Sequence, residues 1–118
     1  AIVTYGGMAA RALQIAAALG AVGIDLSVVN MPSVQVTDDG VMEELCRLPY
    51  VITYEEHHVK TGIAPLIAAD LLKRGFRGRM ESFGVTAYGK SGDTDDVLRL
   101  QGLDVESMVG ALRKIMKR

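Results

Sequence analysis

A chain of 118 residues is long enough for one domain with a hydrophobic core, and its 49% hydrophobic and 23% charged residues are typical of a globular protein. The net charge of −1 argues against binding to nucleic acid or to a membrane surface through bulk charge. The single cysteine excludes an internal disulfide or a multi-thiolate zinc site, and the apolar stretches are too short to span a bilayer.

Short apolar segments alternate with helical segments along the whole chain. The predicted strands cover residues 2–5, 24–29, 50–54 and 80–85. The predicted helices cover residues 8–19, 38–47, 61–74, 94–100 and 104–116. Asp38 or Asp39 is expected to cap the second helix and Thr61 the third, which Gly75 would end.

This alternation predicts an α/β fold of three layers, with a parallel sheet between helices on both faces. We expect the strands to lie in the order second, first, third, fourth. That order places a topological switch point between the first and third strands. There the segment Tyr5-Gly6-Gly7 would face the polar segment formed by Glu55, Glu56, His57 and His58.

Two predicted helices have almost no polar stripe. Arg11 and Gln14 are the only polar residues between positions 8 and 19, and Asp70 is the only one between 63 and 72. A helix that covers one face of a small sheet normally keeps a wide polar stripe. These segments are either alanine-rich surface of low charge or helices buried against another domain or subunit. We favour the second interpretation, with Arg11 and Gln14 as possible interface residues.

The densest polar cluster is Glu55, Glu56, His57 and His58. In an extended chain Glu55 and His57 would share one side, and Glu56 and His58 the other. A carboxylate beside an imidazole is a candidate general base with its orienting partner, but two groups on one side are too few to hold a metal ion. We interpret these four residues as possible interface residues, or as polar groups at the end of a strand.

Three other features resemble active-site motifs. Residues 84–91 match the phosphate-loop pattern G-x-x-x-x-G-K-[ST], which requires a helix to begin at its Lys-Ser end. The segment that follows is instead acidic and rich in helix-breaking residues. Gly6-Gly7 does not continue as the dinucleotide fingerprint G-x-G-x-x-G, since Ala9 and Ala10 follow, and it indicates close strand–helix packing. Cys46 is predicted to be a core thiol. The residues therefore predict no catalytic, cofactor-binding or metal-binding residue in this chain.

Five segments, taken in order, resemble the C-terminal domain of transketolase and related thiamine-diphosphate enzymes. They are the opening strand with its glycine turn, the Val-Val-Asn-Met-Pro turn, the Glu-Glu-His element, the Phe-Gly loop and the closing Gly-Leu helix, at residues 1–8, 23–32, 51–62, 83–92 and 100–115. The resemblance covers essentially the whole chain. It implies a three-layer Rossmann-like domain whose sheet has one more, antiparallel edge strand before residue 1, next to residues 24–29.

The resemblance also implies the context of the domain. Enzymes of this kind bind thiamine diphosphate and a divalent metal, Mg or Ca, in their other domains, at an active site between the subunits of a homodimer. The C-terminal domain supports packing against the preceding domains or a partner subunit. The parent is then a cytoplasmic transferase that moves a two-carbon ketol unit between sugar phosphates of the pentose phosphate type. Because the chain opens on Ala1 inside an apolar run, we expect it to be a piece of a longer protein.

Other interpretations stay open at this point. The parent could instead be a deoxyxylulose-phosphate synthase or a 2-oxo acid dehydrogenase beta subunit, whose Glu-Glu-His element is closer to the one found here. A hypothesis of another class is a stand-alone module that self-associates through its alanine-rich helices. A third is a small phosphate-binding protein that uses residues 84–91. We expect no nucleic-acid or membrane partner.

Overall fold

The computed structural model describes residues 1–33, 37–87 and 92–117. Its strands are β1 (Ile2–Thr4), β2 (Val28–Asn30), β3 (Tyr50–His58) and β4 (Arg79–Val85). A 3-10 turn at Gly6–Met8 precedes the first helix, and the helices are α1 (Ala9–Gly20), α2 (Asp39–Cys46), α3 (Ile63–Lys73), α4 (Thr94–Leu100) and α5 (Val105–Met116). Every predicted helix and strand is therefore present, with some shifts at the ends.

The four strands form one parallel sheet in the order β2-β1-β3-β4. The predicted strand order is confirmed, and with it the switch point between β1 and β3. Ile2 pairs with Val28 on one side and with Ile52 on the other, so that β1 is an interior strand. The carboxyl ends of β1 and β3 consequently lie side by side at one edge of the sheet.

The sheet separates two hydrophobic cores, because alternate strand residues point to opposite faces. On one face Ile2, Ile52 and Tyr54 pack against residues of α1, the α4–α5 connection and α5. On the other face Val3 and Val51 pack against residues of α2 and α3. This is the predicted three-layer arrangement of helices, sheet and helices.

Tyr54 connects the sheet to the C-terminal helices. Its side chain is fully buried, and its hydroxyl donates a hydrogen bond to the carbonyl oxygen of Leu103, between α4 and α5. Burial raises the pKa of Tyr54 to about 12, since the phenolate would be desolvated there. The tyrosine therefore stays protonated at neutral pH and keeps donating to this connection.

Two predicted strand boundaries are wrong. The second strand is predicted over residues 24–29, but the ladder covers only Val28–Asn30. Ile24 and Leu26 are half-buried and pack against the core that contains Ile2 and Tyr54, without joining the strand ladder. The third strand is predicted to end at Tyr54 but continues to His58, because β4 keeps pairing with it beyond a register shift between Tyr54 and His58.

The predicted start of α2 and the predicted end of α3 are confirmed, whereas the predicted cap at the start of α3 is wrong. Asp38 caps α2 by accepting a hydrogen bond from the amide of Val41, and Gly75 adopts the left-handed conformation, with a φ of 79°, after α3. Thr61 does not cap α3, since the N-cap position is Gly62, whose lack of a side chain leaves the cap to another residue. The antiparallel strand expected beside β2 stays a prediction.

Candidate interface at the carboxyl ends of the strands

The cap of α3 is the carboxylate of Glu55, a residue that is only 1% exposed. Both oxygens of this carboxylate accept hydrogen bonds from the amide of Ile63, at 3.0 and 3.1 Å. Oε2 also accepts from the amide of Ala64 at 3.3 Å, and Oε1 accepts from the hydroxyl of Tyr5 at 3.1 Å. Glu55 thus joins β3 to the start of α3 and to the end of β1.

Two glycines make room for this carboxylate. A Cβ added at Gly62 would lie 1.8 Å from Oε1 of Glu55, far inside van der Waals contact. A Cβ at Gly84 would lie 2.7 Å from the carbonyl oxygen of His57 and 3.2 Å from Cγ of Glu55. The sequence signal for this arrangement is weak, because the acid precedes the helix that it caps by eight residues rather than occupying the N-cap itself.

The electrostatics favour a neutral Tyr5 beside the carboxylate of Glu55. The N-terminus of α3 carries a partial positive charge and two free amides, which stabilise a carboxylate. Burial, the negative charge of Glu55 and the hydrogen bond to it raise the pKa of Tyr5 to about 12. Tyr5 therefore remains a hydrogen-bond donor to Glu55. These bonds engage Glu55 within the chain, and its role as an interface residue stays a prediction.

The rest of the predicted cluster lies at the surface. Glu56 and His57 are exposed, and His58 is half-buried. Nδ1 of His58 accepts a hydrogen bond from the amide of Lys60 at 3.1 Å, which fixes the turn between β3 and α3. Glu55 is buried and His57 exposed near the irregularity in the β3–β4 pairing, so that the two members of the predicted carboxylate–imidazole pair have different surroundings. We call Glu56, His57 and His58 the carboxyl-end rim.

The predicted interface residues of α1 lie on its outer side. Arg11 donates to Asp95 of α4 at 2.9 Å, an ion pair between a side chain that is 27% exposed and one that is 73% exposed. Gln14 is exposed beside Leu13, which is 61% exposed. Arg11 therefore connects two helices of the chain, whereas Gln14 and Leu13 leave a mixed surface uncovered.

The outer side of α3 exposes two large apolar side chains. Leu66 is 52% exposed and Leu72 is 77% exposed, and the neighbouring Pro65 and Ala69 are also exposed. We call these four residues the α3 face. The helix is anchored at its other end by Arg74, which pairs with Asp70 at 2.8 Å and also binds Asp39 of α2. A firmly held helix with an apolar outer face is suited to packing against another protein surface.

Metal-binding clusters and membrane-spanning helices are both absent from residues 1–33, 37–87 and 92–117. Within those ranges no three His, Cys, Asp or Glu side chains come together as a potential metal site. Within the same ranges no helix has the length and hydropathy needed to cross a membrane. Four residues of the segment that matches the phosphate-loop pattern, 88–91, lie outside the described residues, and α4 begins only at Thr94.

Comparison with protein families identifies the domain. The profile of the transketolase C-terminal domain matches residues 1–108. The chain belongs to this family. The resemblance inferred from the five segments is thereby confirmed.

Individual transketolase relatives match nearly the whole chain. It is 28% identical over 112 residues to one subunit of the apulose-4-phosphate transketolase of Actinobacillus succinogenes, a match covering 92% of this chain and 36% of the relative. It is 25% identical over 118 residues to a putative transketolase C-terminal section of Methanocaldococcus jannaschii, a match covering 99% of this chain and 37% of the relative. A third relative, 1-deoxy-D-xylulose-5-phosphate synthase 2 of Geobacter sulfurreducens, is 28% identical over 120 residues. This match covers 99% of this chain and 19% of the synthase.

A solved structure agrees with these matches. A split-gene transketolase, described as an inactive beta4 tetramer, superposes with a TM-score of 0.82 at 32% identity, over 96% of this chain and 37% of that one. The transketolase C-terminal domain therefore spans about a third of the split-gene and subunit-type relatives, and about a fifth of the synthase.

The described residues do not fit a site for thiamine diphosphate and its metal. The buried carboxylate at the switch point, Glu55, already accepts hydrogen bonds from Tyr5, Ile63 and Ala64. The exposed Glu56 adds a second negative charge at the same edge, and two carboxylates would repel a diphosphate. The amides at the start of α3, which could otherwise bind an anion, are occupied by Glu55.

Proposed function

We propose that this domain belongs to a transketolase-like enzyme that depends on thiamine diphosphate, and that it serves packing rather than chemistry. The transferase class of its relatives supports the first part, since the names of two of them contain the word transketolase. The proposed parent moves a two-carbon ketol unit between sugar phosphates. When bound, thiamine diphosphate supplies the electron sink for that transfer, and this domain's own residues take no part in holding it.

The observation that carries the packing role is the engagement of Glu55. In an α/β domain the switch point is where a ligand normally binds. Here the buried acid at that point caps α3 and binds Tyr5, so that its oxygens are turned inwards. A group held by three hydrogen-bond donors stabilises the edge of the sheet and is poorly placed to accept a substrate proton.

Three surfaces are proposed to contact the rest of the enzyme. The α3 face offers four exposed apolar residues, and the carboxyl-end rim offers polar groups that can form hydrogen bonds across an interface. Gln14 and Leu13 of α1 form a third, smaller patch. The partner is a preceding domain of the same chain or a separate subunit, and the assembly is proposed to be a homodimer of the complete enzyme.

The packing role can be tested on the complete enzyme that contains this domain. Leu66→Glu on the α3 face should weaken subunit or domain assembly, as measured by sedimentation, and lower activity with sugar phosphates in proportion. The Kd for thiamine diphosphate, measured calorimetrically on the assembled fraction, should stay unchanged. Glu43→Gln on the exposed side of α2 is a control. A loss of cofactor affinity in His57→Ala or Glu56→Gln with assembly intact would contradict the proposal.

A deoxyxylulose-phosphate synthase is a second candidate parent. Relatives with that name match this chain at 28% to 33% identity, as high as the subunit-type transketolase. In both activities thiamine diphosphate would supply the electron sink from other domains, so that the packing role of this domain is the same in each. Assays of the complete enzyme with a ketose phosphate or with pyruvate as the donor distinguish the two.

A further inference from the structure

Strand β4 is an edge of the sheet in the part of the chain that the structure describes. The amide of Arg79 donates to the carbonyl of Pro49, which shows that the backbone groups of Arg79 point towards β3. Because these groups alternate along a strand paired on one side, those of Met80 and Ser82 point outwards. An edge strand with unpaired backbone groups is a template for another strand.

The side chains of β4 alternate in the same way. Arg79 and Glu81 lie on one face of the sheet and are joined by a hydrogen bond of 2.5 Å between Nε and Oε1. Met80 lies on the opposite face, in the core formed with α3. The edge therefore carries a positive and a negative side chain two residues apart, with an apolar residue between them on the other face.

This pattern is self-complementary in one antiparallel register. If Met80 of one copy lies opposite Met80 of another, each Arg79 lies opposite a Glu81, and the outward-pointing groups of Met80 exchange two hydrogen bonds. A register centred on Glu81 would place the two Glu81 carboxylates opposite each other. A register centred on Ser82 would place Glu81 opposite Phe83. The charges therefore select the register centred on Met80.

An apolar groove runs beside the same edge. It lies between α3 and β4 and is lined by Leu72, Phe76, Gly78 and Met80, together with Ala68 and Leu71. Leu72 is 77% exposed at its rim. A second copy paired at Met80 would place another Met80 and Leu72 near this groove, which would remove apolar surface from water on both copies.

We propose that β4 is a self-association edge, through which two copies of this chain pair antiparallel about Met80 with Arg79 of each opposite Glu81 of the other. The contact covers about five residues of each strand. It therefore buries less surface than the roughly 1,200 Å² at the lower end of standard interfaces. We therefore expect a weak dimer that depends on concentration. The proposal goes beyond the packing role above, since it needs only this chain and a second copy of it.

The sharpest test mixes two charge-reversal variants, Arg79→Glu and Glu81→Arg. Each variant alone loses the hydrogen bond within its strand and places like charges opposite each other, so that its homodimer should weaken about tenfold. In the mixture both opposing positions become complementary, although the bond within each strand is still broken. Sedimentation equilibrium should therefore show a heterodimer tighter than either homodimer.

The control variants are Glu43→Arg, on the exposed side of α2, and Arg47→Glu, at the exposed residue that follows this helix. They should leave dimerisation unchanged, and thermal unfolding monitored by circular dichroism confirms that each variant is folded. A chain that stays monomeric at millimolar concentration, or a mixture that dimerises no better than its components, overturns the proposal. A dimer lost in Leu66→Glu but kept in Arg79→Glu assigns self-association to the α3 face and overturns it as well.

The register has its own test by disulfide formation. With Cys46 replaced by serine, a cysteine introduced by Met80→Cys should oxidise to a cross-linked dimer, because directly opposed strand residues have Cα atoms about 5.5 Å apart. A cysteine introduced by Ser82→Cys should not, since it lies opposite Gly78. Cross-linking at position 82 and not at 80 would contradict the register selected by the charges.

Discussion

The carboxylate of Glu55 binds the amide of Ile63 through both of its oxygens, at 3.0 and 3.1 Å, across eight residues of chain. This contact joins the end of an interior strand to the start of a helix on one face of the sheet. Tyr5, directly after the neighbouring strand β1, donates to the same carboxylate. Three elements of the fold therefore meet at one buried charge.

Removal of this charge should destabilise the chain. We expect Glu55→Ala to lower the free energy of unfolding by about 3 kcal/mol, because two helix amides and a tyrosine hydroxyl lose their acceptor in a buried place. Glu55→Gln keeps one oxygen acceptor and should cost about 1 kcal/mol. Urea unfolding measures both. The exposed neighbour provides the control, since Glu56→Gln should change stability by less than about 0.5 kcal/mol. Equal losses at positions 55 and 56 would contradict the capping role.

Gly62→Ala should act through the same contact. The added Cβ would occupy the position of Oε1 of Glu55, so the carboxylate must leave the helix amides, at a cost of about 2 kcal/mol. In a Glu55→Ala background the same substitution should cost less than about 1 kcal/mol, because the obstructed group is gone. Gly110→Ala, inside α5 and with open space around it, should instead stabilise by about 0.5–1 kcal/mol. If the losses in the free energy of unfolding were additive in the double variant, Gly62 would not act through Glu55.

Alkaline pH should destabilise the fold through Tyr5 and Tyr54. The pKa of each is raised to about 12, chiefly by burial, from an ordinary value of 10.0. Their contribution to stability is complete below about pH 10 and is lost as the pH rises towards 12, since the unfolded chain releases these protons first. Tyr54→Phe should cost about 1 kcal/mol at neutral pH and make the alkaline decline shallower. Chemical unfolding at alkaline pH measures this, and an identical decline in Tyr5→Phe/Tyr54→Phe would contradict it.

Acid should release a different contact. Hydrogen bonds from Arg74 and Thr37 lower the pKa of Asp70 below its usual 3.8. The stability from this shift is present above about pH 4 and is lost as the pH falls through the lowered value. Asp70→Asn should therefore destabilise at neutral pH by under about 1 kcal/mol, because the pair is partly exposed to solvent. The difference from the wild type should close in strong acid. A difference that persists there would indicate a packing effect, and Asp25→Asn at an exposed position is the control.

The architecture follows from local patterns, and this explains why it could be predicted. Each strand of the sheet is marked by apolar residues, and each helix has a cap or a glycine at one end. The alternation of strands and helices then leaves few parallel topologies. The strand order needed no knowledge of side-chain contacts, and the residues that resemble the family lie in these same segments.

The site depends on contacts that local patterns do not contain. The polar run from Glu55 to His58 has the composition of a strand end, but pairing with β4 carries β3 through it. Thr61 has a hydroxyl near the start of α3, which is typical of a cap, whereas the actual cap comes from Glu55. The glycine at position 62 is the available clue, since it leaves room for a side chain from elsewhere.

The pairing of Ile2 with Ile52 also has a consequence for biosynthesis. Since β1 is translated before both of its neighbours, it can pair with β2 only after Val28 has been made, and with β3 only after Ile52. Parallel sheets of this kind have no hairpin that could shield the first strand early. On the ribosome, the apolar segment that becomes β1 therefore stays without its two strand partners until Val28 and Ile52 have both been made.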